Sequence, residues 1–200
     1  MLFSGSLCAT RFAAAARARS PLGDKRRALQ TEALRIHNSL TGGAEPLPAP
    51  GPDNLVGWYV CGPTVYDDAH LGHARTYLCF DVIRRVLARH FKVPLLYTMG
   101  VTDIDDKIIA RAEERGVPAA AVAQEFEHRF FEDMSALGVM EPHARLRVSE
   151  NVPAIVDYVG AIVDRGLAYA APSGVYFDVQ AFGSENYGHF GRGAEGGVEP

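Results

Sequence analysis

The sequence has few cysteines and no long apolar run. Cys8, Cys61 and Cys79 are too few and too scattered for a disulfide scaffold, so we interpret them as thiols of a reducing compartment or as metal ligands. No apolar run approaches the roughly 18–20 residues that a membrane span needs, so we expect no membrane partner. At 48% hydrophobic and 22% charged residues, the 200-residue chain has a globular composition, which excludes a collagen-like or wholly disordered protein.

Charge is distributed unevenly along the chain. Residues 1–40 contain seven Lys or Arg and two acidic residues, although the net charge of the chain is −4. The opening stretch is rich in Ala, Ser and Arg, and Arg11 and Arg17 interrupt the apolar run that a secretory signal would need. This composition is typical of a mitochondrial or plastid transit peptide, and we predict that residues 1–33 direct import into the mitochondrial matrix. The alternative is a disordered basic tail that binds nucleic acid.

The body of the chain alternates predicted strands and helices. Apolar runs at 55–60 and 95–99 predict buried strands, and a helical pattern over 71–91 lies between them. The connecting segment has the length of a βαβ crossover, so we expect a parallel sheet in an α/β fold. Residues 41–54 are rich in Gly and Pro and predict a loop.

Further elements follow the second predicted strand. Thr102 and Asp105 resemble a capping box for a helix that ends at Gly116. A pattern beginning after Pro118 predicts an amphipathic helix, another helix is predicted over 153–165, and 167–179 predicts a hairpin around a Pro-Ser-Gly turn. We expect Cys79 and the following residues to face the core: Val122, Phe126, Phe130, Met134, Leu137, Ile155, Val159 and Ile162.

The loop CGPTVYDDAHLGHAR, between the first predicted strand and its helix, is the predicted ligand site. Ligands of open parallel sheets bind beyond the carboxyl ends of the strands, and helix N-termini attract anions. His70 and His73 are spaced to share one face of the first turn, and Gly72 leaves the backbone open to a flat ring. These features suit a polyphosphate, although the loop contains neither GxxxxGK[ST] nor GxGxxG. Hydrogen-bonded surface histidines and half of a metal site remain alternatives.

Three carboxylates, Asp103, Asp105 and Asp106, form a second cluster. A metal site is one interpretation, but the pattern does not fit an EF-hand loop, which needs a Gly at position six and a distal Glu. We favour carboxylates that offset the dipole of a helix N-terminus.

Several blocks resemble the cysteinyl-tRNA synthetase family of class I aminoacyl-tRNA synthetases. His70-Leu71-Gly72-His73 stands where that family has its HIGH signature, and the preceding run Cys61–Asp67 matches as well. Further blocks match in order: LRIHNSLT at 34–41, VTDIDDKII at 101–109, and GVYFDV followed by Tyr187-Gly188. The resemblance covers residues 34–190.

The resemblance implies a Rossmann-type α/β catalytic domain interrupted by a connective insertion, with 34–182 as its N-terminal half. The implied reaction activates cysteine with ATP to cysteinyl-adenylate and transfers it to tRNA(Cys) in mitochondrial translation, and Mg²⁺ is expected with the ATP. Two alternatives remain open. One is the related ligase that joins cysteine to an amino-sugar inositol, and the other is a non-catalytic truncated isoform.

Roles for the loop residues follow from the resemblance. His70 and His73 are expected to contact the ATP phosphates and stabilise the transition state, while Gly72 admits the adenine. Cys61 is expected to be a ligand of a zinc ion that grips the substrate thiolate. Zinc binds thiolate strongly and hydroxyl weakly, which would separate cysteine from serine. The alternative for Cys61 is a buried structural thiol.

Thr64 and Thr102 are expected to line the cysteine pocket. The family also has a lysine-rich stretch proposed to carry pyridoxal phosphate, which falls on Lys107, but its second lysine is Ala110 in this chain. A further departure is Gly100, where the family usually has Asn.

The resemblance also sets expectations about completeness. The other family zinc ligands and the KMSKS loop do not occur in the sequence. We therefore expect an N-terminal fragment, truncated in the connective insertion with 183–200 as a Gly-rich end, that is inactive alone.

Overall fold

The computed structural model describes residues 34–51, 53–183 and 186–188. The predicted transit peptide at 1–33 lies outside these residues, as does most of the Gly-rich segment 183–200. None of the helices within the described residues is long and apolar enough to cross a membrane. In chain order the elements are β1 (Arg35–Asn38), β2 (Gly43–Pro46), β3 (Val56–Thr64), α1 (Leu71–Arg85), β4 (Leu95–Thr102), α2 (Asp106–Arg115), α3 (Ala119–Ala136), β5 (Ala144–Arg147), α4 (Val148–Asp164), β6 (Ala168–Ala171), β7 (Gly174–Phe177) and α5 (Val179–Phe182).

The central sheet is parallel, with strand order β3-β4-β5. Helix α1, extended by a π-helical turn at Val86–His90, connects β3 to β4, and this confirms the predicted βαβ unit and the α/β class. The third strand, β5, has the sequence ARLR. Its apolar and polar residues alternate, but over only four positions, the lower limit of a strand signal, and no strand was predicted there. Pairing with the free edge of β4, from Thr98↔Ala144 to Val101↔Arg147, makes it a strand.

The core lies between one face of this sheet and the helices α1 to α3. Val60 and Met99 of the sheet pack with Tyr77 of α1 and with Phe130 and Met134 of α3. A second cluster joins the ends of β3 and β4 to α2 and α3. The inward face predicted for α3 is confirmed at Val122, Phe126, Phe130 and Met134, whereas Leu137 is the C-cap and is 44% exposed.

The boundaries of two helices differ from the prediction. Thr102 ends β4 and does not cap a helix, because Asp105 is the N-cap of α2 and accepts from the backbone N–H of Lys107. Gly116 ends α2 with φ 65°, as predicted. Helix α4 begins at Val148 and runs through Pro153.

Like Leu137, two further side chains predicted to face the core are exposed instead. Ile155 of α4 is 42% exposed. Cys79 is also exposed, because α1 turns Tyr77, Asp81 and Arg84 toward the interior. Because two of these three inward-facing residues are charged, the buried face of α1 does not form an apolar stripe in the sequence.

One hairpin precedes the strands of the parallel sheet in the chain and another follows them. The predicted loop at 41–54 is wrong in part, because residues 43–46 form β2 and pair antiparallel with β1. Gly42 lies in the turn between β1 and β2 with φ 70°, a conformation that glycine adopts readily. The hairpin predicted over 167–179 is confirmed as β6 and β7 around a Pro-Ser turn.

Candidate nucleotide site at the start of helix α1

Two histidines form the cap of helix α1. His70 is the N-cap, and its ring Nδ1 accepts from the backbone N–H of Gly72 at 3.0 Å. His73 reciprocates, because its Nδ1 accepts from the backbone N–H of His70 at 3.2 Å. The two ring centroids are 4.0 Å apart. The prediction that both histidines share one face of the first turn is confirmed.

The reciprocal cap assigns the tautomers of both rings. Each Nδ1 is an acceptor, so each neutral ring carries its proton on Nε2. Partial burial lowers the pKa of His73, and the neighbouring His70 lowers it further. The cap therefore leaves the Nε2–H groups of both imidazoles as donors, at the end of a helix where the dipole favours anions.

The ring of His73 packs against an aromatic side chain of the core. This ring lies edge-on to Phe130 of α3, with 6.3 Å between ring centroids. Phe130 also packs edge-on against Tyr77, whose hydroxyl donates to the carbonyl oxygen of Cys61 at 3.0 Å. Burial raises the pKa of Tyr77 to about 12, so this hydroxyl stays a donor at neutral pH. The core thus connects the histidine pair to the end of strand β3.

Gly72 has a local reason to be glycine. A Cβ at this position would lie 2.8 Å from Cε1 and 2.9 Å from Nδ1 of His70. The flat ring that approaches Gly72 in the structure is therefore the imidazole of its own N-cap. The role of Gly72 in admitting adenine stays a prediction.

The remaining predicted pocket residues lie on neighbouring strands. Cys61 is opposite Gly100, and Thr64 is opposite Thr102, in the pairing of β3 with β4. The register shifts between Cys61 and Thr64, which is where the loop toward His70 begins. The structure thus brings Thr64 and Thr102 together at the carboxyl end of the sheet. Cys61 is an exposed free cysteine, so the alternative of a buried structural thiol is wrong.

Tyr59 is a neighbour of this site that the sequence did not indicate. A Cβ on Gly100 would collide with the Tyr59 hydroxyl, so the glycine found where the family usually has Asn makes room for that ring. Tyr59 is two residues before Cys61 on β3, and residues two apart on a strand face the same side. This two-residue spacing from Cys61 was the signal in the sequence that could have identified Tyr59 as a neighbour of the site. Gly62 is needed for a similar reason, because a Cβ there would meet the Gly100 carbonyl oxygen.

The described residues do not complete a zinc site. Among them there is no group of three or more His, Cys, Asp or Glu side chains that could hold a metal ion. Cys61 alone does not fit a tetrahedral ion, since catalytic zinc takes about three protein ligands. Zinc chemistry at Cys61 is therefore not supported by the residues that the structure describes.

The three carboxylates of the second cluster lie at, or contact, the start of a helix. Asp105 caps α2, and Asp106 lies in its first turn, as the dipole interpretation predicted. Asp103 accepts from the backbone N–H and the hydroxyl of Ser149 at the start of α4. Lys107 is exposed, with Nζ 5.3 Å from the centroid of the Tyr66 ring. Its proposed pyridoxal phosphate role stays a prediction.

Comparison with known proteins decides the family. Residues 49–198 match the model of the tRNA synthetases class I (C) catalytic domain. The chain belongs to this family. The parallel central sheet agrees with a class I catalytic domain, and the histidine pair that caps α1 lies within the matched residues.

Curated relatives of the family share nearly half of their aligned residues with this chain. The cytoplasmic cysteine–tRNA ligase of Dictyostelium discoideum is 46% identical over 181 residues, 88% of this chain and 27% of its own length. A probable mitochondrial cysteine–tRNA ligase of Xenopus tropicalis is 48% identical over 78% of this chain and 27% of its own length. The Pyrococcus abyssi cysteine–tRNA ligase is 46% identical over 78% of this chain and 32% of its own length. The chain thus spans about a quarter to a third of these relatives.

Proposed function

We propose that this chain contributes to cysteine activation and its transfer to tRNA(Cys). In the first step a carboxylate oxygen of cysteine attacks the α-phosphorus of ATP, the bond to the β-phosphate oxygen breaks, and pyrophosphate leaves. In the second step a terminal ribose hydroxyl of the tRNA attacks the acyl carbon, loses its proton, and AMP leaves. The observation that carries the proposal is the reciprocal cap of His70 and His73.

The two imidazoles suit the first step. Negative charge grows on the pyrophosphate oxygens as the bond breaks, and Nε2–H donors held at a helix N-terminus stabilise such charge. Their Nδ1 atoms are occupied by the cap, so the rings are oriented before the substrate binds. Orientation in advance removes a reorganisation cost from the reaction.

The amino acid would lie at the carboxyl ends of β3 and β4. Thr64 and Thr102 offer hydroxyls there, and Cys61 offers a thiol on the same strand as Thr64. The family implies a zinc ion that would bind the thiolate of the substrate. Because the described residues do not complete its ligand set, we assign no step to the metal.

Binding of a nonhydrolysable ATP analogue to the purified chain tests this proposal. We expect His73→Ala to weaken binding by about tenfold or more, because a hydrogen bond to a charged group contributes about 1.5–3 kcal/mol. His128→Ala is the matched control, since His128 is an exposed histidine of α3 paired with Glu132. Equal affinities for the wild type and His73→Ala, or no binding of the analogue by the wild type, would contradict the proposal.

The acceptor and the compartment are also part of the proposal. All three relatives described above are named cysteine–tRNA ligases, which favours tRNA over an amino-sugar inositol as the acceptor. The Arg-rich residues 1–33 and the mitochondrial name of the Xenopus tropicalis relative support the mitochondrial matrix. A fluorescent reporter fused to residues 1–40 should enter mitochondria. Diffuse cytosolic fluorescence would contradict the mitochondrial location.

We further propose that these 200 residues bind nucleotide but do not charge tRNA by themselves. The support is the incomplete zinc ligand set among the described residues. Cysteine-dependent exchange of pyrophosphate into ATP, measured on the purified chain, should stay at background. Exchange well above background that is lost in His73→Ala would overturn this part of the proposal.

A further inference from the structure

Two arginines from separate helices bind consecutive aspartates in the loop before α1. Nη2 of Arg111, on α2, lies 2.8 Å from the Asp67 carboxylate. Nη2 of Arg129, on α3, lies 2.8 Å from the Asp68 carboxylate. These contacts span 44 and 61 residues of sequence, so they are tertiary contacts and not features of one helix.

The loop is held at its backbone as well as at its side chains. Nε of Arg111 donates to the carbonyl oxygen of Tyr66 at 3.4 Å. The second oxygen of the Asp67 carboxylate accepts from the backbone N–H of Asp68 at 2.9 Å. One carboxylate therefore joins the turn of the loop to the guanidinium on α2.

The residues that follow this loop are the capping histidines. Asp67 and Asp68 precede His70 by three and two residues. Helix α3 supports the same region twice, through Arg129 on Asp68 and through Phe130 edge-on to the ring of His73. Helices α2 and α3 thus set where the cap of α1 lies relative to the strand ends.

We propose that Arg111 and Arg129 are positioning residues that hold the histidine pair in the orientation needed for adenylate formation. The proposal rests on the proposed function. Neither arginine is assigned a contact with substrate, so each acts through the loop 66–68. Both ion pairs are partly exposed, and exposed pairs contribute little to global stability. Their effect is therefore local, on the position of the loop.

The test compares Arg111→Gln and Arg129→Gln with Arg115→Gln in the full chain. Arg115 forms a 2.7 Å ion pair with Glu125, which also joins α2 to α3. Glu125 lies 3.6 Å from Arg129 as well, so Arg115→Gln changes a neighbour of Arg129 but leaves both arginine contacts with the loop in place. It controls for the loss of an arginine and of a contact between the same two helices. The first readout is hydrogen exchange at the backbone N–H groups of His70 and Gly72, which donate within the cap. The second is the affinity for the nonhydrolysable ATP analogue.

We expect faster exchange at both cap amides and weaker analogue binding in the two loop variants, each by up to about fivefold, since an exposed ion pair contributes at most a factor of that order. The variant lacking both arginines should show a larger change. Arg115→Gln should match the wild type in both readouts, with similar thermal unfolding for all variants. Arg129→Lys keeps the charge near Asp68 and should restore most of the affinity.

Two results would overturn the inference. One is unchanged cap exchange and analogue binding in the variant lacking both arginines. The other is an equal effect of Arg115→Gln, which would show a general loosening of the helices. The exchange readout needs no ligand, so it still decides the matter if the wild-type chain does not bind the analogue. In that case the proposed function fails, and faster cap exchange in Arg129→Gln but not in Arg115→Gln would still support control of the histidines by the arginines.

Discussion

Replacing Arg84 with Met should destabilise the fold strongly. Arg84 lies on α1 and is 6% exposed. Its Nη1 donates to the carbonyl oxygens of Met140 at 3.0 Å and Glu141 at 2.7 Å. Its Nη2 lies 3.1 Å from Nε2 of His143. One buried guanidinium thus joins the helix that begins with the histidine pair to the segment that leads into β5.

The magnitude follows from these contacts. A hydrogen bond to a charged group contributes about 1.5–3 kcal/mol, so the two carbonyl bonds together contribute about 3–6 kcal/mol. The Met side chain keeps part of the packing over the Tyr97 ring, whose centroid is 4.8 Å from the guanidinium carbon of Arg84. We therefore expect a loss of about 3–5 kcal/mol in the free energy of unfolding, as for other broken buried polar networks.

Urea unfolding at pH 7, followed by far-ultraviolet circular dichroism, measures this loss. Arg75→Met is the matched control, because Arg75 is an exposed arginine of the same helix. It should change the free energy of unfolding by no more than about 0.5 kcal/mol. The reasoning is refuted if Arg84→Met lies within about 1 kcal/mol of the wild type, since the buried network would then contribute no more than one ordinary hydrogen bond.

Three further outcomes are expected. Gly72→Ala should displace the His70 ring, because the new Cβ would lie 2.8 Å from it; the backbone N–H of residue 72 should then lose its protection from exchange, and unchanged protection would contradict this. The free energy of unfolding should fall as the pH drops below about 6.5. Burial lowers the pKa of His73 and His143 in the folded chain, so the unfolded chain binds more protons at these two residues. Equal free energies of unfolding at pH 7.5 and pH 5.5 would contradict this. The purified chain should retain far less than one zinc per molecule after dialysis, by elemental analysis, and stoichiometric zinc that is lost in Cys61→Ser would show that further ligands complete the site.

The sequence by itself determined the local features of the candidate site. The spacing of His70 and His73 sets their position on one helical turn, and capping depends on atoms within three residues of each other. The two main strands and the helix between them were also predictable, because strand and helix periodicities are local signals. Gly116 ends α2 as predicted, because its αL conformation is a preference of the residue itself.

Only the tertiary structure decided the features that depend on distant partners. Helix α4 begins five residues before the predicted start at Pro153, because Asp103, at the end of the strand before α2, accepts from the N–H of Ser149. Because the capping carboxylate lies 46 residues away in the chain, the sequence around Val148 contains no capping pattern that marks the start of α4. Strand β5 depends on its pairing with the edge of β4, because its own alternation of apolar and polar residues covers only four positions.

The same reason separates the two parts of the site. Local sequence places the histidines in the cap. The position of that cap relative to the carboxyl ends of β3 and β4 depends on Arg111, Arg129 and Phe130, which belong to helices later in the chain. These residues have ordinary helical contexts, so nothing local marks them as neighbours of the loop. Their contacts form only when the crossover brings α2 and α3 against the sheet, because ion pairs and ring contacts act over a few ångströms and do not depend on distance along the chain.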